Sequence, residues 1–300
     1  MKAMITGASG FLGRHFLQYL SKLDCELYTL GRKRVDQYQH YYLEGKTNKD
    51  SIKEAITKIK PNYIFHLAGN VVTQNVFNSF STNAFFAAQI LQSLTENNLD
   101  SSTKVVIIGT AAEYGLINTS NLPVSESHST MPITLYGKSK LAQTEIAISW
   151  QKYSKKLSVL RPFNIIGPGM PSHLALGNFM NQISSIKENG IMKTGNLDTA
   201  RDFIDVRDAV KIIWHLADNE NAYGEIINLC SGKSIKVIKM IEKMIEISKK
   251  DIKIQTSNHL KRTNDMKDHY GDNQKLMGLL NGYDFISWEE SIINMSQSYA

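Results

Sequence analysis

The sequence predicts an α/β fold, a doubly wound parallel sheet joined to a smaller second lobe, and three observations carry that prediction. Short apolar runs alternate with helical segments over roughly the first half of the chain. A glycine triplet stands between the first run and the first helix. The alternation then breaks at Asn164, where "NIIGPGMPSHLALGN" turns rich in Gly and Pro. At 300 residues the chain exceeds the size at which one core usually stops growing, so two lobes are expected.

"KAMIT" reads as the first strand, "GASGFLG" as a turn, and Phe11, Leu12, Phe16, Leu17 and Leu20 as the apolar stripe of the first helix. The second strand, "ELYTL", runs up to Gly31 and Arg32. A loop and a helix near Asp50 to Lys60 follow, then strand "NYIFHLA", helix "STNAFFAAQILQSLTENN" and strand "KVVIIGT". The Tyr136 segment opens another long helix, and "LSVLRPF" is the strand after it. Beyond the break, "RDFIDVRDAVKIIWHLAD" reads as a return to the sheet followed by a helix, and "IINLC" as one more strand. "SIKVIKMIEKMIEISKK" carries an apolar stripe of Ile235, Ile238, Met240, Ile241, Met244 and Ile245 opposite a solvated lysine face. The expected division is residues 1–163 with about 203–230 as a Rossmann-type dinucleotide-binding domain, and 164–202 with 231–300 as a substrate lobe.

Composition narrows the class. With 42% hydrophobic and 21% charged residues the chain is an ordinary globular protein. The longest stretch without Asp, Glu, Lys or Arg, Pro61 to Thr95, is too often interrupted by polar residues to cross a membrane. The glycine pattern begins at Gly7, so the N-terminus is read as part of the fold. Cys25 and Cys230 lie far apart without metal-ligand spacing, which points to a reducing cytoplasm and to no metal site. The net charge of +6 comes from dispersed residues with no nucleic-acid motif, and small anionic ligands account for it.

Gly7, Gly10 and Gly13 are spaced G-x-x-G-x-x-G between a strand and a helix. Missing side chains let the backbone approach a pyrophosphate, whose charge is met by N–H groups of the helix start, here Gly10, Phe11, Leu12 and Gly13. No carboxylate closes the second strand; "LGRKR" does, so Arg32, with Lys33 or Arg34, suits the 2′-phosphate of NADP(H) better than the bare ribose of NAD(H). NADP(H) is therefore the favoured cofactor, with NAD(H) the alternative. Further on, "TLYGKSK" places Tyr136 and Lys140 one above the other on a helix face. A phenol beside an ammonium is a proton donor or acceptor; on the spacing alone, an ordinary exposed helix accounts for the pair.

Taken together and in this order, the glycine motif, "IGTAAEYG" and "YGKSK" resemble the extended short-chain dehydrogenase/reductase family of nucleotide-sugar epimerases, dehydratases and reductases, over nearly the whole chain. The resemblance implies Thr110, Tyr136 and Lys140 as the catalytic residues. Tyr136 would exchange a proton with a sugar carbonyl oxygen, Lys140 would lower its pKa and hold the nicotinamide ribose, and Thr110 would hydrogen-bond the reacting oxygen. It further implies cofactor contacts at Glu44, Leu67, Ala68, Gly69, Asn83 and Pro162, while His66 reads as a packed strand residue.

"RPFNIIGPG", "TGNLDTARDFIDVRDAV" and "NLCSGKSI" are most similar to the GDP-4-keto-6-deoxy-D-mannose reductases, which form GDP-D-rhamnose. That likeness implies Asn164, Lys187, Arg201 and Arg262 as substrate contacts, with a surface pairing to Asp198 or Asp202 as the other reading of Arg201. A proline-containing "RPSE"-like stretch of that subgroup is replaced here by "KRTNDMKDHYGDNQKL", which leaves the base open, with a GDP-sugar favoured. Ala112 stands where a 4,6-dehydratase carries its extra acid, and Glu113, one position off, is expected to point elsewhere. The expectation is thus an NADPH-dependent reductase acting on C4 of a 4-keto-6-deoxyhexose in surface-polysaccharide or glycoconjugate synthesis. A 4-epimerase is the runner-up, and a non-catalytic NADP(H)-binding sensor is the reading from another class. The resemblance also implies a homodimer, paired through the helices that carry Asn83 and Tyr136.

Overall fold

The computed structural model describes residues 1–43, 48–71, 75–257, 259 and 266–299. Its first part runs β1 (Lys2–Thr6), α1 (Phe11–Leu20), β2 (Glu26–Gly31), β3 (Gln39–Tyr42), α2 (Lys49–Ile59), β4 (Tyr63–His66), α3 (Val76–Phe80), α4 (Phe86–Glu96), β5 (Lys104–Ile108), α5 (Leu135–Trp150) and β6 (Leu157–Pro162). A π turn, Ser81–Phe85, joins α3 to α4. The second part runs β7 (Asn164–Ile166), α6 (Ala175–Ser185), β8 (Asn189–Thr194), β9 (Ala200–Arg201), β10 (Phe203–Asp205), α7 (Val206–Ala217) and β11 (Ile226–Leu229). It closes with β12 (Ile235–Lys236), α8 (Val237–Ser248), β13 (Asp251–Thr256), β14 (Asp268–His269), α9 (Gln274–Leu279) and α10 (Trp288–Gln297).

Seven strands form one sheet in the order β11-β6-β5-β4-β1-β2-β3, every neighbouring pair parallel. Parallel strands need crossover helices, and these cover both faces. On one side Phe16, Leu17 and Leu20 of α1 and Ile212, Ile213 and Leu216 of α7 pack together. On the other, Ile52 and Ile56 of α2, Ile90, Leu91 and Leu94 of α4 and Trp150 of α5 do so. This is the Rossmann-like, doubly wound α/β architecture read from the sequence. Because all seven strands point one way, every strand end opens on one edge, and the chain reverses direction of winding between β1 and β4, where such sheets leave a crevice.

Three local expectations are revised. The stretch expected as a loop holds β3, a polar edge strand, "QHYY", paired with β2. The segment expected to return to the sheet pairs elsewhere: β10 lies parallel to β7 in a separate two-stranded sheet, because β11 takes the position beside β6. α7 alone returns to the main sheet. The third core gathers Leu176, Met180 and Ile183 of α6 with Met240, Ile241 and Met244 of α8 and Ile292 and Met295 of α10. Leu276, Leu279, Tyr283 and Phe285 instead pack into the sheet core beside α1 and α7, although they follow the second lobe's strands in the chain.

Candidate active site

A groove of about 550 Å³ opens at the crevice between β1 and β4. Gly7, Gly10, Arg32, Lys33, Leu67, Ala68 and Gly69 all line it. Two glycines make the approach: Gly7 takes φ +70°, and a Cβ there would stand 2.6 Å from Ala68 N; a Cβ on Gly13 would stand 2.2 Å from Gly7 O. Helix α1 starts behind them with no side-chain cap and no acidic residue in its first turn, so its amide groups are left for an anion. Phe11 and Leu12 turn their side chains into cores, Phe11 toward the second lobe and Leu12 toward the sheet, so they offer the groove their backbone only. The donor set and the glycine cradle fit a dinucleotide.

Arg32 and Lys33 are exposed at the far end of this groove, past the end of β2. Arg34 is drawn aside by Asp36, with Nε to Oδ1 at 3.4 Å. Several residues here were not read from the sequence: Thr29, His40, Leu43, Thr82 and Phe86. His40 is held by the Thr29 hydroxyl at 2.8 Å and by Gly31 O at 3.0 Å. Those contacts require the β2–β3 pairing, for which the local sequence carries no signal. Glu44 lies outside the described residues.

At the other end of the crevice stand the residues of β5, α5 and the π turn. Thr134 caps α5, its hydroxyl accepting from Gly137 N at 3.0 Å, and so launches the turn that carries Tyr136. Thr110, just past β5, stands by the Tyr136 phenol and favours its ionised form. Its own Oγ1 accepts from Ala112 N at 3.2 Å. Lys140 is buried; its Nζ donates to Ile108 O at 2.6 Å and to Gln143 Oε1 at 3.1 Å. A Cβ on Gly69 would lie 3.4 Å from Lys140 Nζ and 3.6 Å from Asn83 Oδ1, which fixes these three side by side. Asn83 accepts from Asn70 N at 2.8 Å and donates to Ser139 Oγ at 2.8 Å. Its place on a π turn follows a recurrent pattern, since the wider turn re-aims a side chain. Ser139 and Gln143 were also missed, though both lie three residues from a singled-out residue of the same helix, a spacing that shares one face.

One electrostatic expectation is corrected. Lys140 was expected to lower the Tyr136 pKa, but burial pushes the phenol up to about 12, and the Glu113 charge pushes the same way against the effect of Thr110. The Lys140 ammonium faces a strand-end carbonyl and Gln143, and burial brings its own pKa down to about 8. Tyr136 thus keeps its proton at neutral pH. Glu113 does point elsewhere: it is fully buried against Arg161, with Nε to Oε2 at 2.8 Å. His66 is likewise buried, bonded to Thr6 Oγ1 at 2.9 Å and held neutral by burial.

The residues expected at the substrate side are less tightly gathered. Asn164 donates to Asp202 O at 2.8 Å, and Arg201 donates to Ala200 O and to Met266 O at 2.7 Å. The pairing of Arg201 with Asp202 does not form, since Asp202 accepts from Ser231 N and Oγ and Gly232 N instead. Pro162 is buried at the end of β6 and is not among the groove-lining residues. Lys187 is exposed after α6, and Arg262 lies outside the described residues.

The family model described as the NAD dependent epimerase/dehydratase family matches residues 3–230. A GDP-6-deoxy-D-talose 4-dehydrogenase of Aggregatibacter actinomycetemcomitans is 30% identical over 292 residues, covering 96% of this chain and 94% of the relative. A GDP-6-deoxy-D-mannose reductase of Pseudomonas aeruginosa is 27% identical, covering 84% and 82%. Among solved structures, RMD from Pseudomonas aeruginosa complexed with NADPH superposes with a TM-score of 0.86 at 23% identity, over 99% of this chain and 97% of that one. With the groove and the Thr110–Tyr136–Lys140 cluster on one sheet edge, the chain belongs to the NAD dependent epimerase/dehydratase family, as an NAD(P)-dependent oxidoreductase.

Proposed function

We propose that this protein reduces the C4 ketone of a nucleotide-linked 4-keto-6-deoxyhexose with NADPH, GDP-4-keto-6-deoxy-D-mannose being the favoured substrate and GDP-D-rhamnose the product. The observation that carries the reading is a tyrosine that holds its proton at neutral pH beside Thr110, on the helix whose Lys140 abuts Gly69 of the dinucleotide groove. When bound, the reduced nicotinamide supplies the hydride. Tyr136 then gives its phenolic proton to the sugar oxygen as the negative charge develops there, and Thr110 donates a second hydrogen bond to the same atom. Lys140 and Asn83, tied to β5 and α5, keep the helix face in register with Gly69. Gly7, Gly10 and the amides of Phe11, Leu12 and Gly13 would hold the pyrophosphate, and Arg32 with Lys33 the 2′-phosphate.

The named relatives support the substrate class. 6-Deoxytalose and 6-deoxymannose differ only at C4, so a GDP-6-deoxy-D-talose 4-dehydrogenase and a GDP-6-deoxy-D-mannose reductase work at the same carbonyl from its two faces. Asn164 and Arg201, on adjoining segments past β6, are the substrate contacts in this reading. The lobes divide the work, with the sheet taking the cofactor and the α6–α8–α10 core backing the sugar nucleotide.

A homodimer through α3, α4 and α5 belongs to the same proposal. Val76, Phe77 and Phe85 leave large apolar surface exposed there, Phe77 by 71%, and Ile148 of α5 is exposed as well. No helix among the described residues is long and apolar enough to cross a membrane, and both cysteines are free; the cytoplasm is the proposed location. The test is incubation with NADPH and GDP-4-keto-6-deoxy-D-mannose, followed by NMR of the sugar. A 4-hydroxyl formed with matching NADPH loss is expected; a sugar that stays ketonic overturns the reading, and inversion at C4 of a GDP-linked 4-hydroxy-6-deoxyhexose in a parallel incubation, with no net change in the cofactor, replaces it with the epimerase.

A further inference from the structure

We propose that Glu113 is the positioning residue of this site: its carboxylate ties the end of β5, helix α5 and strand β6 to one point and places a fixed negative charge beside Tyr136 and Lys140. The inference rests on the reductase reading only in its kinetic consequence. Glu113 is fully buried; one of its bonds closes the capping box of its own turn, and the other two reach outside it. Oε1 accepts from the backbone N–H of Thr110 at 2.9 Å. Oε2 accepts from the Thr144 hydroxyl at 3.0 Å and from Arg161 Nε at 2.8 Å. Thr110 stands by the phenol, Thr144 lies four residues beyond Lys140 on the helix of Tyr136, and Arg161 directly precedes Pro162. One carboxylate therefore sets three of the elements that meet at the crevice.

The fit is tight. A Cβ on Gly109 would stand 2.6 Å from Glu113 Oε1, so only a glycine at the strand end leaves the carboxylate room. Arg161 is buried in turn and lies over the Tyr114 ring at 4.8 Å, whose hydroxyl donates to Asn228 Oδ1 at 2.7 Å. The guanidinium is thus fixed from its far side. Two neutral donors and a guanidinium keep the carboxyl ionised at neutral pH even though burial raises its pKa.

The charge reaches the reacting groups. Lys140 is faced by Glu113 from the turn after β5, by His66 from β4, by Tyr136 on its own helix, and by the uncharged Asn83 and Gln143. His66 is neutral and Tyr136 protonated, so Glu113 is the ionised carboxylate that favours the ammonium form, against the burial that disfavours it. Removing that charge must lower the proton affinity of Lys140 further.

The experiment follows Lys140 directly by NMR of lysine labelled at Cε in the full chain with NADPH bound, its resonance assigned by Lys140→Arg. In Glu113→Gln the Lys140 midpoint is expected to fall by about half a pH unit or more relative to wild type. The alkaline limb of kcat should move with it, while the KM for NADPH stays within about two-fold. Glu113→Gln leaves Arg161 buried without its counter-charge and is prone to misfolding; the double variant Glu113→Gln with Arg161→Met removes both charges and keeps an acceptor for Thr110 N–H. A smaller fall in the same direction is expected there, because the opposing charge of Arg161 goes with that of Glu113. An unchanged Lys140 midpoint in a folded variant overturns the proposal, whatever the turnover. Absence of wild-type turnover with a 4-keto sugar nucleotide would instead sink the reductase reading and leave the titration to judge Glu113 by itself.

Discussion

The two ends of the crevice are built differently. Around Tyr136 three polar side chains are tied down: Lys140 by Ile108 O and Gln143, Asn83 by Asn70 and Ser139, Thr110 by Ala112 N and Glu113. At the far end Arg32 and Lys33 stand exposed on a loop past β2. A buried group that must give or hold a proton gains from a fixed, dry setting, where electrostatic interactions are strong. A group that meets a phosphate needs only charge and reach, and a flexible exposed cation supplies both. The contrast makes separate demands on the two ends. Changes at the inner end should reduce kcat, and changes at the outer end should raise the KM for NADPH.

The largest effect is expected at the inner end. Tyr136→Phe removes the proton donor and should lower kcat by about 10²–10⁴-fold, with NADPH binding by titration within about two-fold of wild type. Loss of cofactor binding with an intact kcat would reverse the assignment. Next comes the outer end: Arg32→Ala combined with Lys33→Ala should raise the KM for NADPH by about 10–100-fold, leave that for NADH nearly unchanged, and abolish the salt dependence of NADPH binding. Equal effects on the two cofactors would remove the 2′-phosphate role.

Asn83→Ala strips partners from the Asn70 amide and from Ser139, and should cost about 1–3 kcal/mol of stability together with a several-fold fall in kcat. The pH profile sharpens the same contrast. With its pKa at about 8, Lys140 carries its charge below that pH and loses it above, whereas Tyr136 holds its proton to about 12. The alkaline limb of kcat should therefore centre near pH 8 and belong to Lys140; a limb that survives in Lys140→Met would assign it elsewhere. The smallest effect is expected at Lys187, exposed after α6: Lys187→Ala should change kcat and KM by less than about two-fold.

The regions differ as well in what could be read before the structure. Strands β1, β4, β5 and β6 are legible as apolar runs because they are buried on both faces, and the helices because their stripes repeat at 3.6 residues. The edge strand β3 is not, since "QHYY" has no buried face to record. β10 reads like a sheet strand because Phe203 and Ile204 are apolar, and nothing in three residues says whether β7 or the main sheet is its partner. At the site, the glycine spacing and the Tyr136–Lys140 interval are local and stand in the sequence. The direction of the Tyr136 shift does not, because burial arises from packing distant segments over it. Nor do Asn83 with Ser139, or Glu113 with Arg161, each pair separated by tens of residues and joined only by the sheet.

The most direct test of a phenol that protonates a sugar ketone as hydride arrives is where the hydrogen goes. NADPH deuterated at the reactive carbon of the nicotinamide ring, incubated with GDP-4-keto-6-deoxy-D-mannose and the wild-type protein, should leave deuterium on C4 of the sugar, one for each NADP⁺ formed. A 4-hydroxyl sugar whose C4 hydrogen comes from water, or no NADP⁺ at all, would contradict it.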